Sequence, residues 1–240
     1  IAEVASYLVP FMGSIYFGAM LIAILLNFEL VVPALKLIFV DAFNGTAVAG
    51  GTFIGVLIYG VRRGAFSNEA GMGTESLVHG VAKVSNPVKQ GLVAMTGPIF
   101  DTLIICTATA LIILISGVWE TSASQGVTLT SEAFNLLLGD VGGFILFACV
   151  ICFGLSTIFT YSYYGATCAR FIFGNFGMNF YIYLYIIGIF IYSIVPIDIA
   201  INIADGAFAM MAIPTLISAL WLAPKVMQES RNYFKLIDNA

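Results

Sequence analysis

Charge is the scarcest commodity in this chain: nine Lys and Arg and thirteen Asp and Glu among 240 residues, 9% in all. A soluble domain spends about a quarter of its residues on charge, so a soluble globular fold is excluded. The basic surface that a nucleic-acid partner requires is missing as well, since the formal net charge is −4. Four cysteines in 240 residues are too few for a disulfide-stapled secreted module. A single histidine, His79, rules out a histidine-rich metal centre. No phosphate-binding loop, nucleophile elbow or His-Glu-x-x-His helix occurs anywhere. Apolar residues, in contrast, make up 60% of the chain, and the mean hydropathy is +1.03. Disorder is incompatible with that composition. The class that remains is an all-α polytopic membrane protein.

About 20 mostly apolar residues are needed for one helical crossing. Such segments run at about 8–27, 46–61, 91–117, 141–164, 179–196 and 203–222, which predicts six transmembrane helices. The second is short and rich in glycine. Membrane β-strands would alternate in polarity over about ten residues, and a run such as 103–117 does not alternate.

The few basic residues then orient the spans. Arg62, Arg63, Lys83 and Lys89 fall between spans two and three, Arg170 after span four, and Lys225, Arg231 and Lys235 after span six. The 118–140 loop holds Glu120, Glu132 and Asp140 and no base. Alternating spans put eight of the nine basic residues on one side, which predicts a multi-pass protein of the cell membrane with both termini cytoplasmic. Lys36 is the exception; it lies in 28–44, amphipathic enough for a short interfacial helix. The chain opens Ile1-Ala2-Glu3 without methionine or signal peptide and reads like the middle of a longer protein.

Polar groups at membrane depth are costly and mark functional sites by default. Four glycines, Gly45, Gly50, Gly51 and Gly55, crowd the second span. Gly51 and Gly55 are spaced for close helix packing. Adjacent glycines also favour a helix that breaks near the midplane and frees backbone groups to bind ions and substrate ends. In span four, Ser156 and Thr160 share one helix face, and Thr157 and Tyr161 another. Sodium is a hard cation that takes oxygen ligands, so these hydroxyls suit it; back-bonding to their own helix is the competing reading. Asp101 lies ten residues into span three and needs a hydrogen-bond donor there, a structural role weighing more than a proton-carrying one. Asp198 and Asp205 flank the outer link between the last two spans, where solvation accounts for them. Cys149 and Cys152 form a CxxC pair, which admits a membrane redox protein as the enzyme-class rival.

The string from Arg63 to Gly73, Arg-Gly-Ala-Phe-Ser-Asn-Glu-Ala-Gly-Met-Gly, is followed by Asn86-Pro87-Val88-Lys89-Gln90-Gly91 and by Phe100-Asp101-Thr102. With Val9-Pro10-Phe11-Met12 and Met211-Ala212-Ile213-Pro214, these strings resemble the sodium:alanine/glycine symporter family along essentially the whole chain. The resemblance implies a leucine-transporter-type fold of two inverted five-helix repeats. This chain would supply core helices five to ten as one transmembrane domain, 1–240, with the second repeat at 45–222. It implies sodium-coupled symport of a small neutral amino acid, alanine or glycine, by alternating access in the lipid bilayer, and no enzymatic activity. The substrate residues it carries over are Gly50, Gly51, Thr52, Phe53, Thr157 and Tyr161; the sodium ligands are Ser156 and Thr157. The family's N-terminal half, with its broken first helix, would be the missing partner, and an inactive truncated fragment is the alternative. The family usually carries tryptophan near Tyr161 and Asn-Gly where Phe208-Ala209 stands.

Overall fold

The computed structural model describes residues 2–42 and 52–238, with side chains over 8–42 and 54–238. Every regular element among them is helical: α1 (Ala2–Leu26), α2 (Phe28–Ala42), α3 (Thr52–Asn68), α4 (Thr74–His79), α5 (Pro87–Ser116), α6 (Val118–Thr121), α7 (Val127–Leu138), α8 (Asp140–Ile194) and α9 (Ile197–Asp238). Among the described residues, four stretches are long and apolar enough to cross a membrane: Leu8–Leu26, Pro87–Ser116, Asp140–Ile194 and Ile197–Asp238. The class expected from composition, a polytopic α-helical membrane protein, is the class observed.

The six expected spans do not appear as six separate long helices. The expected span 141–164 and all but the last two residues of 179–196 lie within α8, which Gly174 divides with non-helical backbone angles of φ 68° and ψ −158°. The second expected span, 46–61, overlaps α3, Thr52–Asn68. The glycine run 45–51 lies outside the described residues, and with it the expected helix break.

The corner at Gly174 repeats one at the start of α8. Gly139 has φ 67° and ψ −163°, and three residues after each of these glycines stands another, Gly142 and Gly177, both buried. A Cβ at Gly142 would lie 2.5 Å from the Phe134 carbonyl and 2.7 Å from Leu138 Cβ. At Gly177 it would meet Phe173 Cβ and come within 2.9 Å of the Ala169 carbonyl. In each case the close neighbours precede by four and eight residues. A Gly-x-x-Gly element thus lets one helix end and the next start in close contact.

In α5 the local chemistry is legible. Asn86 caps the helix by accepting from the Val88 N–H at 2.8 Å, and Pro87 occupies the first turn, where its missing N–H costs nothing. Pro98, inside the helix, removes a donor from the i→i−4 ladder. The helix then passes through a π segment, Ile99–Cys106, before resuming at Thr107.

The chain forms two compact units. In the first, residues 1–56 and 103–178, the core joins α1, the second half of α5, and α7. Met20, Ala23, Ile112, Ala133 and Phe134 are fully buried. Tyr16 stacks on Phe134 with centroids 5.7 Å apart, and its hydroxyl shares a 2.9 Å hydrogen bond with that of Thr109. The stretch 118–140, expected as a loop, carries α7 instead: Thr130, Ala133, Phe134 and Leu137 fall at three- and four-residue spacing and pack inward. At its start Ser124 donates to Glu132 Oε1 at 2.7 Å. Hydrogen bonds from Ser122 and Ser124 hold the Glu132 carboxyl below the ordinary carboxylate range. The expected interfacial segment is helical as α2, and its Ala34 packs on Leu111 and Ile115.

The second unit comprises residues 57–102 and 179–240. Here α3 meets α9: Phe208 is buried, and Phe66 sets its ring edge-on to it at 5.1 Å. Gly73, with φ 93°, sits so close to α9 that a Cβ there would lie 2.7 Å from Thr215 Oγ1.

Candidate functional site

The hydroxyl-rich stretch expected to serve sodium lies in the first part of α8. Ser156 donates to the Phe153 carbonyl at 2.8 Å, and Thr160 donates to the Ser156 carbonyl at 2.8 Å. This is the back-bonding that competed with the sodium reading. It uses only the hydroxyl proton, so the lone pairs of both oxygens stay available to a cation. Thr157 and Tyr161 follow on the adjoining face, both half-buried, and the Tyr161 ring lies 5.5 Å from that of Tyr164. Of the other expected substrate residues, Gly50 and Gly51 lie outside the described residues, and Thr52 and Phe53 form the opening of α3.

The strongest polar cluster gathers instead around the distinctive string after α3. Arg63 Nη2 donates to Asp205 Oδ2 at 3.3 Å, and Arg62 Nη1 reaches the same oxygen at 3.7 Å. The Asp205 side chain is only 10% exposed, and the Arg63 guanidinium also lies 5.1 Å from the Tyr59 ring centre. Asp205 is therefore not the solvated linker residue the sequence suggested. The reason is that α9 begins at Ile197, which puts Asp205 two turns inside a helix.

Beside this pair opens a cavity of about 350 Å³ whose lining includes Arg62, Phe66, Met72, Asn202, Asp205 and Phe208. One turn further along α3, Ser67 donates to Asp101 Oδ2 at 2.6 Å, and Asn68 Nδ2 donates to Thr102 Oγ1 at 3.0 Å. Asp101 thus has the donor its position demanded. The Asn68 side chain also accepts from the Ala70 N–H at 3.0 Å, fixing the turn into Glu69, whose φ is 54°. The four cysteines, Cys149 and Cys152 among them, are free thiols.

Sequence reasoning missed the Arg63–Asp205 pair. The two residues stand 142 positions apart. The one available signal was Asp205 itself, an acid inside an apolar helix.

Long apolar helices that bury a few hydroxyl and charged groups define a membrane-embedded helical protein. The model of the sodium:alanine symporter family matches residues 1–239, and the chain belongs to that family. Among its relatives is a sodium/alanine symporter of Methanococcus maripaludis, 34% identical over 242 residues, covering 100% of this chain and 53% of the relative. An uncharacterized transporter of Haemophilus influenzae is 35% identical over 240 residues, 98% of this chain and 53% of the relative. A sodium/proton-dependent alanine carrier protein of Bacillus sp. PS3 is 32% identical over 181 residues, 70% of this chain and 41% of the relative. The chain spans about half the length of these curated relatives. The family is one of transporters, which is not an enzyme class.

Proposed function

We propose that this chain takes part in sodium-coupled symport of a small neutral amino acid, alanine or glycine, across the cell membrane by alternating access. The observation that carries the reading is the family match along residues 1–239. Ser156 and Thr157 are the sodium ligands in this reading, and Gly50, Gly51, Thr52, Phe53, Thr157 and Tyr161 contact the substrate. The substrate carboxylate meets N–H groups at a half-helix start, where the dipole end is positive. The fold is the leucine-transporter type, in which 45–222 form the second inverted repeat. Both termini are cytoplasmic, an orientation supported by Lys83, Lys89, Arg170, Lys225, Arg231 and Lys235. One sodium charge moving inward contributes about 2.3 kcal/mol per 100 mV to substrate accumulation.

The test is uptake of labelled alanine into proteoliposomes under an inward sodium gradient. It is made on this chain and on the product of its gene with whatever residues precede Ile1. Sodium-driven uptake is expected from at least one of the two. Failure in both, or uptake driven equally by a proton gradient without sodium, rejects the reading. Thr157→Val is expected to raise the sodium concentration for half-maximal uptake about tenfold; an unchanged value removes Thr157 from the ligand set.

A further inference from the structure

We propose that the cavity beside Asp205 is a binding site for the zwitterionic end of a free α-amino acid, separate from the α8 hydroxyl site. It lies wholly within the second unit, and it does not rest on the transport reading. Its charges are asymmetric in a telling way. Two guanidinium groups face one carboxylate, and both ion pairs fall on the same oxygen, Oδ2. Arg63 holds the shorter bond, at 3.3 Å. Arg62 makes the longer one, at 3.7 Å, is half exposed, and lines the cavity. Arg62 is therefore the guanidinium available to a ligand carboxylate. Among the described residues both ion pairs of Asp205 use Oδ2, which leaves Oδ1 to an ammonium.

A simple anion is a poorer match, because it would face the Asp205 carboxylate across the same small space. A simple cation would face Arg62. A molecule carrying both charges one carbon apart satisfies both sides. The volume, about 350 Å³, lies at the small end of the roughly 300–1,000 Å³ typical of small-molecule sites. Apart from Asn202, the remaining wall carries no polar side chain; Ala65, Met72 and the crossed rings of Phe66 and Phe208 form much of it, which suits an uncharged side chain.

The test is protection of a thiol placed on the cavity wall. Ala209, which lines the cavity and is exposed, is replaced (Ala209→Cys) in the full chain. Its alkylation by a maleimide is followed by mass spectrometry of the peptide containing position 209, so the four native cysteines do not interfere. The medium contains potassium and no sodium. Alanine is expected to slow labelling at least fivefold, while propionate and ethylamine, each carrying one of the two charges, leave the rate within twofold. Arg62→Gln and Asp205→Asn are each expected to abolish protection. Ala65→Leu, which keeps every charge and narrows the cavity, is expected to do the same and serves if either charge variant fails to fold. Thr157→Val is expected to leave protection intact, which separates this site from the one proposed for transport. No protection by alanine, equal protection by propionate, protection surviving the cavity variants, or its loss in Thr157→Val each overturn the proposal.

Discussion

Gly174→Ala isolates the corner that divides the 55-residue α8. The angles there, φ 68° and ψ −158°, lie in a region that is essentially reserved for glycine, and holding another residue in it costs about 1–3 kcal/mol. Alanine also restricts the unfolded chain, which returns about 0.4–1 kcal/mol. The net expectation is a loss of roughly 1–2 kcal/mol. Gly188 supplies the control within the same helix. It is helical, and a Cβ there meets nothing within 4 Å. Gly188→Ala is therefore expected to gain up to about 1 kcal/mol from helix propensity. The two substitutions are chemically identical, and they should differ by about 2–3 kcal/mol. Equilibrium unfolding in mixed micelles of mild detergent and dodecyl sulfate, followed by circular dichroism, measures that difference. Gly139→Ala, at φ 67° and ψ −163°, should match Gly174→Ala. If Gly174→Ala proved as stable as Gly188→Ala, the corner would not exist and α8 would run straight through.

Phe134→Ala removes a fully buried ring from the core of the first unit, together with its stack on Tyr16. It is expected to cost about 3–5 kcal/mol in the same unfolding assay. Ser67→Ala takes away the 2.6 Å donor to Asp101. An intramolecular hydrogen bond contributes about 0.5–1.5 kcal/mol net, and a double-mutant cycle with Asp101→Ala, which removes the acceptor, should return a coupling in that range. The lowered Glu132 carboxyl contributes stability that is present above the ordinary carboxylate range and lost as pH falls through the lowered folded-state value. Ser124→Ala should move the Glu132 titration, followed by carbon NMR of labelled glutamate, upward toward the ordinary range.

Hydropathy sufficed to find α1, α5, α8 and α9, because twenty apolar residues in a row have few other uses. It could not show that the apolar runs 141–164 and 179–196 meet at a corner, since a glycine in a helix and a glycine at positive φ are spelled alike. Here the spacing carried the information: Gly139 with Gly142, and Gly174 with Gly177, are the same element twice. The 118–140 stretch was misread for a related reason. Its acids, Glu120 and Glu132, suggested a solvated loop, but α7 turns Glu132 outward and buries Ala133 and Phe134.

Charge followed a different logic. In a chain this apolar, an acid inside a helix must find a donor, so the need was legible at Asp101; its partner was not. Ser67 lies 34 positions from Asp101, and Arg63 lies 142 from Asp205. Both partners nevertheless come from a single turn and a half of α3, at the start of the Arg63–Gly73 string. That coincidence has a physical reading. The string Arg63-Gly64-Ala65-Phe66-Ser67-Asn68 presents a cation, an aromatic ring, a hydroxyl and an amide in close succession, and each meets a different partner: Asp205, Phe208, Asp101 and Thr102. Every side chain in it longer than alanine is committed to a tertiary contact. A substitution anywhere in so constrained a segment disturbs a packed partner, whereas the hydroxyls of α8 bond to their own helix, as they could in any membrane span.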